Sequence, residues 1–199
     1  MKNPSQRVGV FVDVQNMYYS ARNIYNSRVN FGKILETAVS GRQLIRAIAY
    51  VVKAESPEEQ TFFDALEKSG FEVKMKDIQI FPGGMKKGDW DVGVAVDAIK
   101  LADRLDAIVL VAGDGDYTPL VTYLQENKGC LVEVVAFGRS TSARLIAEAD
   151  EFIDIDKDTH KYLFPLKPSI SSPKRFGRKP GVKSFPDKPQ LVKHEDLGD

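Results

Sequence analysis

Two stretches of this chain run an apolar segment straight into aspartate. Val8-Gly-Val-Phe-Val-Asp13 does so near the start, and Ile108-Val-Leu-Val-Ala-Gly-Asp114-Gly-Asp116 does so in the second half. In an open α/β sheet, chemistry gathers beyond the carboxyl ends of the strands, where strand order reverses. Asp13, Asp114 and Asp116 are therefore candidates to face one crevice. Asp91 joins them from the start of a helix, where the partial positive charge of the N-terminus favours a carboxylate. Asp97 lies six residues on, roughly 120° around that helix and ~9 Å along it; it can address the crevice from deeper down, not from the same spot. Carboxylates packed together repel, so some protonate or a cation holds them. Oxygen-only ligands select a hard ion, Mg²⁺ or Mn²⁺, which activates water and stabilises a phosphoryl transition state. Each aspartate taken singly also fits a helix cap or an Asx-turn. Asn16, three residues after Asp13, fits either a cap or a group that orients a ligand carboxylate.

Other chemistries are excluded by what is missing. The two histidines, His160 and His194, both fall late in the chain, and Cys130 is the single cysteine. A body without histidine has no Ser-His-Asp or Cys-His catalysis and no His-ligated zinc. Val14-Gln-Asn-Met-Tyr-Tyr19 follows the first strand where a dinucleotide fold needs Gly-x-Gly-x-x-Gly, and no P-loop motif occurs. Gln15 stands where an aspartyl-phosphate phosphatase would carry its second acid.

The elements that must position these acids are legible as alternating strands and helices. Apolar runs predict strands at Arg7 to Asp13, Leu44 to Lys53, Phe71 to Lys76, Asp106 to Val111 and Leu131 to Ala136, with a short edge strand at Phe152 to Ile155. Helical spacing predicts helices from about Gln15 to Tyr25, Phe31 to Val39, Ser56 to Gly70, Trp90 to Leu105, Thr118 to Asn127 and Thr141 to Glu148. Ser56-Pro-Glu-Glu59 has the form of a capping box, and Thr118-Pro119 that of an N-cap followed by proline at the first helical position. Asp77 to Asp89 reads as a loop or small hairpin. The order implies an α/β fold: a mainly parallel central sheet flanked by helices.

Net charge is zero but unevenly spread. Residues 1–156 carry 18 Lys+Arg against 23 Asp+Glu, and residues 157–199 carry 10 against 5. The second segment also holds six of the ten prolines, a composition that buries too little apolar surface to offset ordering. The expected organisation is a domain over 1–156 and a basic, largely disordered tail over 157–199. No apolar run approaches the ~20 residues that span a bilayer and the start lacks signal-peptide anatomy, so a cytoplasmic protein with no membrane association is expected.

Three motifs in order, Phe11-Val-Asp-Val-Gln-Asn16, Lys87-Gly-Asp-Trp-Asp-Val-Gly-Val-Ala-Val-Asp-Ala98 and Gly113-Asp-Gly-Asp-Tyr-Thr-Pro-Leu120, resemble the NYN domain of the PIN-like nuclease superfamily, and within it the LabA-like branch. The resemblance covers about Arg7 to Asp156. It implies a PIN-like Rossmannoid three-layer sandwich and metal-dependent hydrolysis of RNA. It implies metal-site roles for Asp13, Asp91, Asp114 and Asp116, with Asn16 in support and Asp97 as an additional acid. Single-stranded RNA suits a crevice because a flexible strand can bend into it. Phosphate near such acids needs flanking cations, for which Lys86, Lys87, Arg22, Arg139 and Arg144 are the candidates. Lys174, Arg175, Arg178 and Lys179 around Phe176 suit salt-sensitive RNA contact. Leu163, Phe164 and Leu166 offer docking on the body or on a second subunit, and the tail could engage a protein partner. The rival function is a non-catalytic RNA-binding or regulatory adaptor that keeps the fold; a third is a phosphatase acting on small phosphoesters.

Overall fold

A computed structural model describes residues 2–53, 57–80 and 86–166, with side chains omitted at 57–58, 79–80 and 86–87. The strands are β1 (Arg7–Asp13), β2 (Ser27–Val29), β3 (Gln43–Lys53), β4 (Glu72–Asp77), β5 (Gln79–Ile80), β6 (Lys86–Lys87), β7 (Ala107–Val111), β8 (Leu131–Ala136), β9 (Glu151–Asp154) and β10 (Leu163–Pro165). The helices are α1 (Val14–Tyr25), α2 (Phe31–Val39), α3 (Pro57–Lys68), α4 (Asp91–Ala102), α5 (Thr118–Lys128), α6 (Ala143–Glu148) and α7 (Thr159–Tyr162).

Six strands form one sheet in the order β4-β3-β1-β7-β8-β9, and every pairing in it is parallel. The chain starts at the centre, winds outward through β3 and β4, then returns to the other flank of β1. Strand order thus reverses between β1 and β7, whose register sets Val12 against Val111. Alternation along β1 splits the core. Val8, Val10 and Val12 join the cluster formed with Met17, Ala21, Ile34 and Leu66, on the side of α1, α2 and α3. Phe11 joins the opposite cluster with Val94, Ala98, Val121, Leu124 and Leu145, on the side of α4, α5 and α6. Both faces of the sheet are covered, as continuous apolar strands require. The stretch Asp77 to Asp89, expected as a loop or small hairpin, contains the antiparallel pair β5–β6. The capping box expected at Ser56 lies outside the described residues.

Regular structure continues past Asp156, through α7 and β10 to Pro165. Tyr162 is buried, its carbonyl accepts from the Asn30 amide at 2.7 Å, and β10 pairs antiparallel with β2. A short aromatic–aliphatic segment thus finds an open edge to complete. Leu163 packs against the core cluster beneath α1, α2 and α3, while Phe164 stays 49% exposed. The basic segment around Phe176 lies outside the described residues. Thr118 is not an N-cap. A 3-10 turn, Gly115–Tyr117, precedes α5, and the Thr118 hydroxyl donates back to the Gly115 carbonyl at 2.7 Å. Asp114 caps that turn instead.

Candidate active site

β1 passes into α1 without a linker, so Asp13 both ends the strand and caps the helix. Its Oδ1 accepts the Asn16 amide at 2.9 Å, leaving Oδ2 for other work. Asn16 then reaches across the reversal point: its Oδ1 accepts the Gly113 amide at 2.9 Å, tying the end of β1 to the end of β7. Gly113 is needed there because a Cβ would stand 2.9 Å from Thr141 Oγ1 and 3.2 Å from the Ser140 carbonyl. Asp114 follows, its Oδ1 accepting the Asp116 amide at 3.0 Å, and Asp116 is exposed.

Asp91 comes from the start of α4, which Trp90 pins to the sheet. The indole N–H donates to the Val51 carbonyl at 2.8 Å. Its ring lies where a Cβ at Gly93 would intrude to 2.4 Å. One hydroxyl joins this element to β1: Tyr117 Oη lies 3.1 Å from Asp13 Oδ2 and 3.0 Å from Asp91 Oδ1. A phenol has one proton and serves one carboxylate at a time. Both contacts are satisfied together when one of the two carboxyls is itself protonated.

The electrostatics agree with that count. Burial first, then the charges of Asp91 and Asp114, push the Asp13 carboxyl above the usual aspartate range. Burial and the neighbouring Asp89, Asp114 and Asp116 do the same to Asp91. Tyr117 is driven well above a normal phenol by burial and by the two acids it touches. None of Asp13, Asp91, Asp114 and Asp116 has an ion-pair partner among the described residues.

An NYN domain family model matches residues 7–156. The chain belongs to the NYN domain family. This NYN domain is similar to the low amplitude and bright protein LabA of Synechococcus elongatus, at 24% identity over 165 residues, 75% of this chain and 84% of LabA. It is also similar to a protein of unknown function from Vibrio parahaemolyticus, whose crystal structure matches with a TM-score of 0.75 at 35% identity, over 82% of this chain and 99% of that one. The family is nuclease-like.

Asp97, unlike the other four candidate acids of this NYN domain, has a cationic partner of its own among the described residues. Lys74 Nζ and the Tyr50 hydroxyl both donate to its Oδ2, at 2.6 and 2.8 Å. Burial works against its charge, yet these two donors hold the carboxyl below the usual range. The helix spacing placed it correctly, six residues from Asp91, but said nothing of the lysine waiting on β4.

The cation candidates also separate. Arg139 lines an open cleft of about 450 Å³ together with Ser140, Thr141 and Ser142, facing Asn16, Gly113, Asp114 and Gly115. Its amide donates to Asp156 at 2.9 Å, and its guanidinium lies over the Tyr25 ring, 5.7 Å from the centroid. Arg22 and Arg144 are exposed and do not line the cleft. The side chains of Lys86 and Lys87 lie outside the described residues. Lys76, from β4, donates to the Asp89 carbonyl at 3.0 Å and brings a cation close to α4 that spacing alone did not single out. Tyr117 and the hydroxyls of 140–142 were also missed. A signal existed for the latter: they follow β8, the next strand end beyond the reversal point.

The donor set suits a hard divalent ion in kind, being carboxylate oxygens with uncompensated charge. As the side chains stand, no three acidic, His or Cys groups among the described residues converge on one point. No described helix is long and apolar enough to cross a membrane.

Proposed function

We propose that this protein is a metal-dependent ribonuclease that hydrolyses phosphodiester bonds of single-stranded RNA in the cytoplasm. One observation carries the reading. Asp13 and Asp91 share the Tyr117 hydroxyl at the strand-order reversal, and Asp114 lines the adjoining cleft together with Arg139, Ser140, Thr141 and Ser142. An acidic wall for a cation facing a donor wall for phosphate is the arrangement phosphodiester hydrolysis needs.

Asp13, Asp91, Asp114 and Asp116 would hold Mg²⁺ or Mn²⁺. Bound there, the ion supplies Lewis acidity and lowers the pKa of a coordinated water. Asn16 keeps the two strand ends in register, so Asp13 and Asp114 present their oxygens to the same space. Arg139, Ser140 and Ser142 bind and orient the backbone phosphate from the opposite side. The openness of the cleft suits a flexible strand.

The adaptor reading has one observation in its favour, the lack of three converging ligands as the side chains stand. Cleavage of a labelled single-stranded RNA, with Mn²⁺, Mg²⁺ or EDTA, decides between them. Metal-dependent cleavage abolished in folded Asp13→Asn and Asp114→Asn supports the nuclease. Absence of cleavage, or cleavage that survives both substitutions, supports the adaptor. Activity on a small chromogenic phosphoester but not on RNA would point to the phosphatase.

A further inference from the structure

Among the described residues, the Asp91 carboxylate accepts one hydrogen bond, and it comes from Tyr117. Asp13 is steadied at Oδ1 by its own helix, but at Oδ2 it too meets Tyr117. Asp114 is oriented within its own turn, by the Asp116 amide. The tyrosine is 1% exposed and belongs to the apolar cluster under α4 and α5. Packing thus fixes the ring, and the ring fixes where the hydroxyl stands. A phenylalanine would fill the same volume; the oxygen is tolerated in this core because it is bonded.

We propose that Tyr117 is a positioning residue of the candidate metal site. Its hydroxyl donates to the Asp91 carboxylate, delivered by a helix start, beside Asp13 at the end of β1, and leaves the other Asp91 oxygen for an arriving divalent ion. Donors behind ligand carboxylates are commonly worth 10–100-fold in metal affinity. The inference rests on the metal-site reading above.

Mn²⁺ binding to the full chain without RNA, followed by the loss of the free-ion paramagnetic resonance signal, tests it. The proteins are wild type, Tyr117→Phe, Asp91→Asn, Asp114→Asn and Asp91→Asn/Tyr117→Phe, each with a thermal melt to show that it is folded. Wild type should bind saturably and Asp114→Asn should not. Tyr117→Phe should bind ~10-fold or more weakly with little change in melting temperature. The double variant should bind about as Asp91→Asn alone does, because the hydroxyl acts through that carboxylate. Tyr117→Phe binding as tightly as wild type, or more tightly, overturns the inference while leaving the metal site standing; so does a double variant whose losses multiply. Wild type that does not bind, or binding that survives Asp114→Asn, overturns the metal site and this inference with it.

Discussion

Lys74 holds Asp97 at 2.6 Å, a counter-charge that Asp13, Asp91, Asp114 and Asp116 do not have among the described residues. Asp97→Asn should therefore lower RNA cleavage by less than ~3-fold, while Asp13→Asn and Asp114→Asn lower it by ~100-fold or more. Its cost falls on stability, ~1 kcal/mol, since the Tyr50 hydroxyl keeps an acceptor and only the lysine pair is lost. A loss of cleavage matching that of Asp13→Asn would return Asp97 to the site.

Gly113→Ala should disturb the cleft. The new methyl meets Thr141 Oγ1 at 2.9 Å and the Ser140 carbonyl at 3.2 Å, so the wall at 140–142 must give way. Overpacking of this kind costs ~1–3 kcal/mol. Denaturant melts should show that loss, and the KM for RNA should rise. Unchanged KM with unchanged stability would mean the wall does not bear on substrate.

The metal-free protein should carry a pH signature of its acids. Asp13 and Asp91 are raised in the fold, so the folded state binds their protons more tightly than the unfolded state does. Their contribution is most favourable below the ordinary aspartate range and declines as pH rises toward the raised values. Asp13→Asn keeps a competent helix cap and removes one buried charge. At neutral pH without metal it should melt higher than wild type, with ~2–4 °C corresponding to about 1 kcal/mol in a chain of this size. The gap should close as pH falls. A constant gap across the series would rule out the buried charge as its source.

At the other end of the strands, the guanidinium of Arg42 pairs with both oxygens of Glu133, at 2.6 and 2.9 Å, with side chains 1% and 5% exposed. Lys2 adds a third contact at 2.8 Å. Arg42→Met leaves a buried carboxylate with one half-buried helper, Lys2, and should cost ~3–5 kcal/mol. Burial alone would raise Glu133, but Arg42 and Lys2 hold it below its usual range. The pair's support is present above the ordinary glutamate range and disappears as pH falls through the lowered value. The acid limb of the wild-type stability curve should therefore be steeper than that of Arg42→Met, and equal limbs would contradict this role for the pair.

Much of this architecture is written in the chain at short range. Apolar runs such as 8–12 and 107–112 announce buried strands, and the aspartates that end them announce a crevice. Partners across the sheet are another matter. Asp97 shows its place on a helix, while the lysine that neutralises it sits on a strand whose neighbour only the fold selects. Tyr117 reads as one more core aromatic, because a hydroxyl's partner has no local signature. Thr118 looked like a cap because Ser, Thr and Pro often announce one. Here the aspartate four residues earlier began a tighter turn first. The segment at 159–165 is too short to show a period, and its order comes from an edge supplied by residues 27–29.

The reversal of strand order has a bearing on synthesis. Asp13 leaves the ribosome early and waits on the first strand, while the elements that bring Asp91, Asp114 and Tyr117 to it emerge much later. No shorter piece of the chain holds two of the three strand ends that frame the cleft unless most of the sheet has closed. A half-made polypeptide therefore holds Asp13 without the acids proposed to share its metal, so the proposed cleavage of RNA awaits the second half of the chain.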